Sequence, residues 1–230
     1  PPESDTWVTL TNNNIFVGAP MPMNMLYRNY LRVVASVDEQ VGRLLASLER
    51  TGELNNTVIV YAGDNGHLFG EHGLYDKRNA YEESMRIPFF IRYPKLVRQT
   101  GRRDQMVLNI DLAPTLLDII GAEIPAFMQG RSMVPFLQNP SLEGRDAFLY
   151  EHFPVFPIPI PGITAVRTKD FKYIHYQKGT WGDQLFDLRK DPRELLNIID
   201  TKAGKEALPG LQKRLEQLKE ETRYQFFTHG

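Results

Sequence analysis

The chain has 230 residues, 42% of them hydrophobic and 24% charged, with a net charge of -1. That is enough for one large domain, or a domain and a smaller one, and the near-neutral balance gives no support to a nucleic-acid or membrane-surface role. There is no cysteine, which excludes disulfides, thiolate zinc sites and a cysteine nucleophile within this chain. No apolar run approaches the roughly 18 residues that cross a bilayer.

Residues 1 to about 25 are rich in Pro, Asn and Met, show no period and read as an extended loop. Pro1-Pro2-Glu3 carries no charged-then-apolar leader, and the start looks like the middle of something longer. From about residue 26, Leu31, Val34, Val37, Val41, Leu44, Leu45 and Leu48 recur three or four apart, predicting an amphipathic helix with Gly52 past its end. Residues 58–62 are short, β-branched and continuously apolar, as expected of a strand buried on both faces. Residues 86–94 predict a second strand bracketed by prolines. A short strand is expected over 106–110, then a helix over 112–120 capped by Asp111, with Pro114 in its first turn and Gly121 after its end. A subdomain boundary falls near 135–145. Beyond it, four short strands are expected over 147–151, 163–168, 171–176 and 184–188. Lys169-Asp170 makes a hairpin turn, and 154–161 is a proline-rich loop. A last helix over about 209–224 carries Leu211, Leu215 and Leu218 on one face.

The most informative stretch lies between the first two strands: Asp64-Asn65-Gly66-His67, then Gly70-Glu71-His72-Gly73, then Tyr75-Asp76-Lys77-Arg78. A core segment has no use for so many polar groups at a strand end. Asp64 and Asn65 offer two hard oxygen ligands suited to Ca²⁺ or Mg²⁺, although Asp-Asn-Gly is also a good turn on its own. Lys77 is a compact charge suited to a tetrahedral anion, or else a solvated surface residue. His72 can donate to an anion or tie the loop down, and Arg78 can pair with Glu71, Glu82 or Glu83. A zinc-peptidase motif is excluded by spacing. Three residues separate His67 from Glu71, where the inverted zinc motif has two, and Gly66, Gly70 and Gly73 weaken a helix there.

Taken together, Asp64-Asn65-Gly66, Gly70-Glu71-His72-Gly73, Lys77 and Tyr81-Glu82-Glu83-Ser84 ahead of Arg86-Ile87-Pro88 resemble the sulfatase family of the alkaline-phosphatase-like superfamily. Residues 35–44, Asp111-Leu112-Ala113-Pro114-Thr115, Gln129-Gly130-Arg131-Ser132, Phe171-Lys172-Tyr173 and Asp191-Pro192 extend the resemblance over nearly the whole chain. It implies an α/β fold: part of an alkaline-phosphatase-like α/β sandwich (1–140), plus a small C-terminal antiparallel sheet with a covering helix (141–230). It further implies hydrolysis of a sulfuric ester, on a small-molecule or glycan substrate such as 6-sulfated N-acetylglucosamine. In that reading Asp64 and Asn65 hold Ca²⁺, with Mg²⁺ as the other candidate ion. Lys77 contacts the sulfate, and His72 joins it in the catalytic set as the histidine of the loop that lies near the substrate or just behind the groups that touch it. Arg78 and His152 reach the substrate, with His175 and Trp181 as further candidates.

The family nucleophile is a formylglycine made in a Cys- or Ser-x-Pro-x-Arg motif. It works with two further metal-binding aspartates and a leaving-group histidine, and this chain contains none of these. The expectation is therefore the C-terminal part of a sulfatase, inactive alone, whose partner is the N-terminal part of the same protein in an extracytoplasmic compartment. A phosphodiester or phosphonate monoester hydrolase of the same superfamily, or a non-catalytic metal-binding remnant, are the alternatives.

Overall fold

The computed structural model describes residues 7–8, 21–154, 160–177 and 181–225. The loops expected over 1–25 and 154–161 lie largely outside these residues. Two short strands, β1 (Trp7–Val8) and β2 (Met21–Pro22), pair antiparallel and lead into the long helix α1 (Met23–Arg50). The helix ends where periodicity predicts. Gly52 turns away with φ +76, a conformation that glycine adopts without steric penalty. The apolar stripe of α1 is left open by the described residues: Leu31 is 47% and Leu44 57% exposed, and no residue of the helix is buried.

Next come β3 (Ile59–Ala62), β4 (Leu68–Phe69), β5 (Tyr75–Asp76), α2 (Glu82–Met85) and β6 (Phe89–Arg92). β3 pairs antiparallel with β6, and β4 with β5. The expectation that the first strand is buried on both faces is corrected. Ile59 and Val60 are half-buried while Tyr61 and Ala62 are exposed, because among the described residues β6 is the one strand paired with β3.

The strand expected over 106–110 is also corrected. Residues Asn109–Asp111 form a 3-10 turn leading into α3 (Leu112–Ile119). The Asp111 carboxylate folds the chain by accepting the N–H groups of Leu108 (2.7 Å) and Arg131 (2.8 Å) and two bonds from Arg145 (2.5 and 2.8 Å). That engagement also explains why Asp111 makes no side-chain cap to α3. The short α4 (Val134–Gln138) follows.

The C-terminal half is a four-stranded antiparallel sheet of β7 (Ala147–His152), β8 (Ile163–Thr168), β9 (Phe171–Tyr176) and β10 (Gln184–Asp187), in the order β10-β9-β8-β7. All four strands and the β8–β9 hairpin fall where alternation and turn residues predict. Helix α5 (Lys202–Glu221) starts seven residues earlier than expected and contains Pro209. A proline inside a helix costs about 3 kcal/mol. Burial of Leu211, Leu215 and Leu218, at about 1.5–3 kcal/mol each, offsets it. Thr201 caps the start by accepting the Gly204 N–H at 3.1 Å.

Side chains alternate across this sheet. Ala147, Val166, Tyr173 and Leu185 face α5. Ile163, Ala165, Ile174, Tyr176 and Phe186 pack against Ala80 and Tyr81. The stretch immediately after Lys77 is therefore part of the core of the C-terminal sheet.

Candidate active site

At the end of β3 the Gly63 N–H bonds the Pro88 carbonyl at 3.3 Å, which closes the β3–β6 ladder and releases Asp64 and Asn65 into a bend. Asp64 is exposed and its Oδ1 accepts the Asn65 N–H at 2.8 Å. Asn65 donates to the Gly66 carbonyl at 2.7 Å, which turns its own Oδ1 outward, where Lys77 Nζ donates to it at 2.9 Å. Two residues far apart in sequence thus meet head to head. Lys77 is flanked by Asp76 (φ +78) and Arg78 (φ +75), both in the left-handed region. Such backbone costs of the order of 1–3 kcal/mol per residue and gathers at functional loops. Here it turns the chain on either side of Lys77. The Asp76 carboxylate pairs with the Arg78 guanidinium.

Asp64, Asn65, Lys77, Arg78 and His152 all line one open concavity. His152, at the end of β7, is half-buried and its Nε2 is buried without a hydrogen-bond partner. Burial lowers its pKa, and the Arg78 charge pushes in the same direction. The unfolded His152 therefore takes up a proton near pH 6.5 while the folded one does not. Stability from this residue is full above pH 6.5 and is lost as pH falls toward the lowered folded value. His152→Gln should flatten that part of the curve, as read from denaturation midpoints between pH 7.5 and 5.5.

His72 stands apart from the concavity. Its side chain is 8% exposed, with Nε2 3.3 Å from Glu83 Oε2, and its ring stacks on Tyr81 at 3.8 Å. In this arrangement it ties its loop to α2. His175, paired with Asp183 at 3.0 Å, and Trp181, packed beside Tyr176, do not line the concavity either.

The Asp64–Asn65 pair suits a hard divalent cation: one exposed carboxylate and one amide oxygen with a lone pair left beyond Lys77. Ca²⁺ takes six to eight oxygens, so the pair supplies a minority of a coordination sphere. Among the described residues, the one cluster of three His or acidic groups close enough to share an ion is His72, Glu83 and Glu194. There the Lys172 ammonium already sits 2.6 Å from Glu194 Oε1 and takes the place that a cation would need.

A family profile described as "Sulfatase" matches residues 4–122, and one described as "N-sulphoglucosamine sulphohydrolase, C-terminal" matches residues 70–221. The chain belongs to the sulfatase family. It is 42% identical over 203 residues to an N-acetylglucosamine-6-O-sulfatase of Bacteroides thetaiotaomicron, covering 86% of this chain and 36% of that protein. A solved structure described as a complex with its substrate D-glucosamine-2-N,6-O-disulfate superposes with a TM-score of 0.80 at 38% identity, covering 85% of this chain and 40% of that one. The phosphonate monoester hydrolase of Agrobacterium radiobacter superposes at 0.73 with 26% identity, covering 82% of this chain and 40% of that one. The sulfatase chain thus spans well under half the length of these relatives.

Two features of this candidate site escape the sequence reading. One is α2, whose four residues hold the polar loop from behind. The Ser84 carbonyl accepts the Gly66 N–H at 2.9 Å, and Ser84 Oγ accepts the Asn79 N–H at 3.3 Å. The other is the buried cation Lys172. It shares the alternate positions of β9 with Ile174 and Tyr176, and a lysine on the apolar face of a strand is the signal that could have found it. Gly66 lies so close to α2 that an added Cβ would stand 2.0 Å from the Glu83 carbonyl oxygen. Backbone cannot yield as a side chain can. Gly66→Ala should therefore cost about 3 kcal/mol or more, seen as a lowered melting midpoint and a displaced Asp64–Asn65 turn.

Proposed function

We propose that this chain is the C-terminal part of a sulfatase that hydrolyses sulfate esters of carbohydrates, with a 6-sulfated N-acetylglucosamine unit as the favoured substrate. The observation that carries the reading is the contact between Lys77 and Asn65 at the edge of the concavity. It sets a fixed positive charge beside a pair of oxygen ligands, as a sulfate group bridging a cation and an ammonium would require. Asp64 and Asn65 would hold the divalent cation, Ca²⁺ before Mg²⁺. When bound, the cation supplies charge stabilisation to the ester oxygens. Lys77 donates to a sulfate oxygen and neutralises charge as it develops, with little reorganisation because Asn65 already orients it. Arg78 and His152, on the same wall, would bind sugar hydroxyls; Asp76 fixes the guanidinium, and the unpartnered His152 Nε2 offers a ready hydrogen-bonding site. The substrate preference draws on the likeness to the N-acetylglucosamine-6-O-sulfatase and to the glucosamine disulfate complex.

The formylglycine nucleophile and the remaining metal ligands would come from an N-terminal part of the same protein. That part would also cover the exposed apolar stripe of α1 and the open face of β3. The reading divides the chain into a catalytic portion, 1–140, and a C-terminal subdomain, 141–230. An extracytoplasmic compartment belongs to the same proposal. No helix of the described residues is long and apolar enough to cross a membrane. The 230-residue chain alone is expected to release no sulfate, whereas the longer protein is expected to release it from 6-sulfated N-acetylglucosamine. In that protein Arg78→Ala and His152→Gln should raise KM more than they lower kcat. Sulfate release by the isolated chain, or indifference of KM to both variants, would count against the assignment.

A further inference from the structure

The buried charges behind the loop form a connected chain. Lys172 Nζ has no exposure and lies 2.6 Å from Glu194 Oε1 and 2.9 Å from Glu82 Oε1. The opposite charge of Lys172 favours the Glu194 carboxylate, against a burial that raises the Glu194 pKa. Glu194 has φ +55, and its Oε2 accepts the backbone N–H of Glu82, the first residue of α2, at 2.7 Å. Arg167 adds a 3.3 Å contact to Glu82 Oε1. Burial alone would raise the Glu82 pKa, but Lys172 and Arg167 outweigh it and hold it below the ordinary value. From α2 the chain divides. Ser84 holds the Gly66 and Asn79 N–H groups, and Glu83 holds His72. Gly66 follows Asn65, Asn79 comes shortly after Lys77, and His72 lies between them in the same loop.

We infer that Lys172 and Glu194 of the C-terminal sheet region are positioning residues for the sulfate-facing loop. By fixing the first turn of α2 they set the distance between Lys77 and Asn65. The C-terminal subdomain then aligns the catalytic groups as well as edging the pocket. The catalytic consequence rests on the sulfatase reading above; the mechanical link does not.

Removing one partner of a buried pair leaves the other charge stranded, so the test uses paired variants of the full-length enzyme that remove both charges. Lys172→Met with Glu194→Gln keeps an acceptor for the Glu82 N–H; Lys172→Met with Glu194→Leu does not. With the fold intact by circular dichroism, the leucine pair should lower kcat by about 10- to 100-fold, since small misplacements cost up to 10²-fold. Its KM should change less than about threefold. The glutamine pair should stay within about threefold of the parent in kcat. Amide exchange at Gly66 and Asn79 should quicken in the leucine pair and not in the glutamine pair. Glu194→Asp, which keeps the charge and shortens the reach, is the milder variant and should show a smaller shift of the same sign. Unchanged exchange at both amides, or equal loss of kcat in both pairs, would overturn the inference. If the parent enzyme cleaves no sulfate ester, the proposed function fails and the exchange result alone decides this one.

Discussion

Lys77→Met in the full-length enzyme should lower kcat on a sulfate ester by about 10²–10³-fold, the loss typical of removing one preorganised donor to developing negative charge. Methionine keeps the length of the side chain and removes the ammonium. The fold should survive, because among the described residues the Lys77 side chain makes one hydrogen bond, to Asn65, and is not part of either hydrophobic core. KM should change less than kcat, since the charge matters most as the ester bond breaks. Lys77→Arg should rescue poorly. A planar fork cannot reproduce a single 2.9 Å contact between flanking residues held at positive φ. Steady-state kinetics of the three proteins, with melting midpoints to confirm folding, provide the check. A Lys77→Met enzyme within threefold of the parent would remove Lys77 from the mechanism.

The second large effect concerns the cation. Asp64→Ala should weaken Ca²⁺ binding by more than about 100-fold, beyond the 10- to 100-fold that changes outside the ligand shell bring. Asp64 is exposed and its Oδ1 holds the Asn65 N–H. The substitution therefore removes the proposed carboxylate ligand and also loosens the neighbouring amide. Calorimetric titration of the chelator-stripped full-length protein measures this directly. Ca²⁺ should restore turnover of the parent and not of the variant. Mg²⁺ should restore less, because it demands a near-octahedral shell and dehydrates reluctantly. Equal Ca²⁺ affinity in the two proteins would move the cation site away from Asp64.

Much of this was legible in the sequence, and the misses have physical causes. The four strands of the C-terminal sheet follow from period-two alternation and turn residues, which are local signals. Helix α1 was equally plain from its 3.6-residue period. The start of α5 was misplaced because a proline reads as a boundary, whereas three buried leucines hold it inside the helix. The strand expected at 106–110 failed because Asp111 draws in donors from Leu108, Arg131 and Arg145, and pairings across 34 residues leave no local trace. The candidate residues Asp64, Asn65, Lys77, Arg78 and His152 were named from residue chemistry and resemblance, and their meeting on one concavity is tertiary information. The residues alone offer His72 two roles, anion donor or loop tie, and the resemblance adds a catalytic one; its side chain lies against Glu83 and Tyr81, which suits the tie. The Lys172–Glu194–Glu82 cluster was not foreseen, because its members sit in three separate segments and each passes for an ordinary surface charge.

The likeness to a phosphonate monoester hydrolase leaves a sharp alternative, since a cation and a lysine suit phosphorus esters as well. The most direct test is a side-by-side assay of the full-length protein and its Lys77→Met variant, measuring sulfate released from 6-sulfated N-acetylglucosamine and product released from a phosphonate monoester. The sulfatase reading predicts that sulfate release dominates in the parent and falls by about 10²–10³-fold in the variant. Efficient phosphonate hydrolysis with no sulfate release, or sulfate release unaffected by the loss of Lys77, would contradict it.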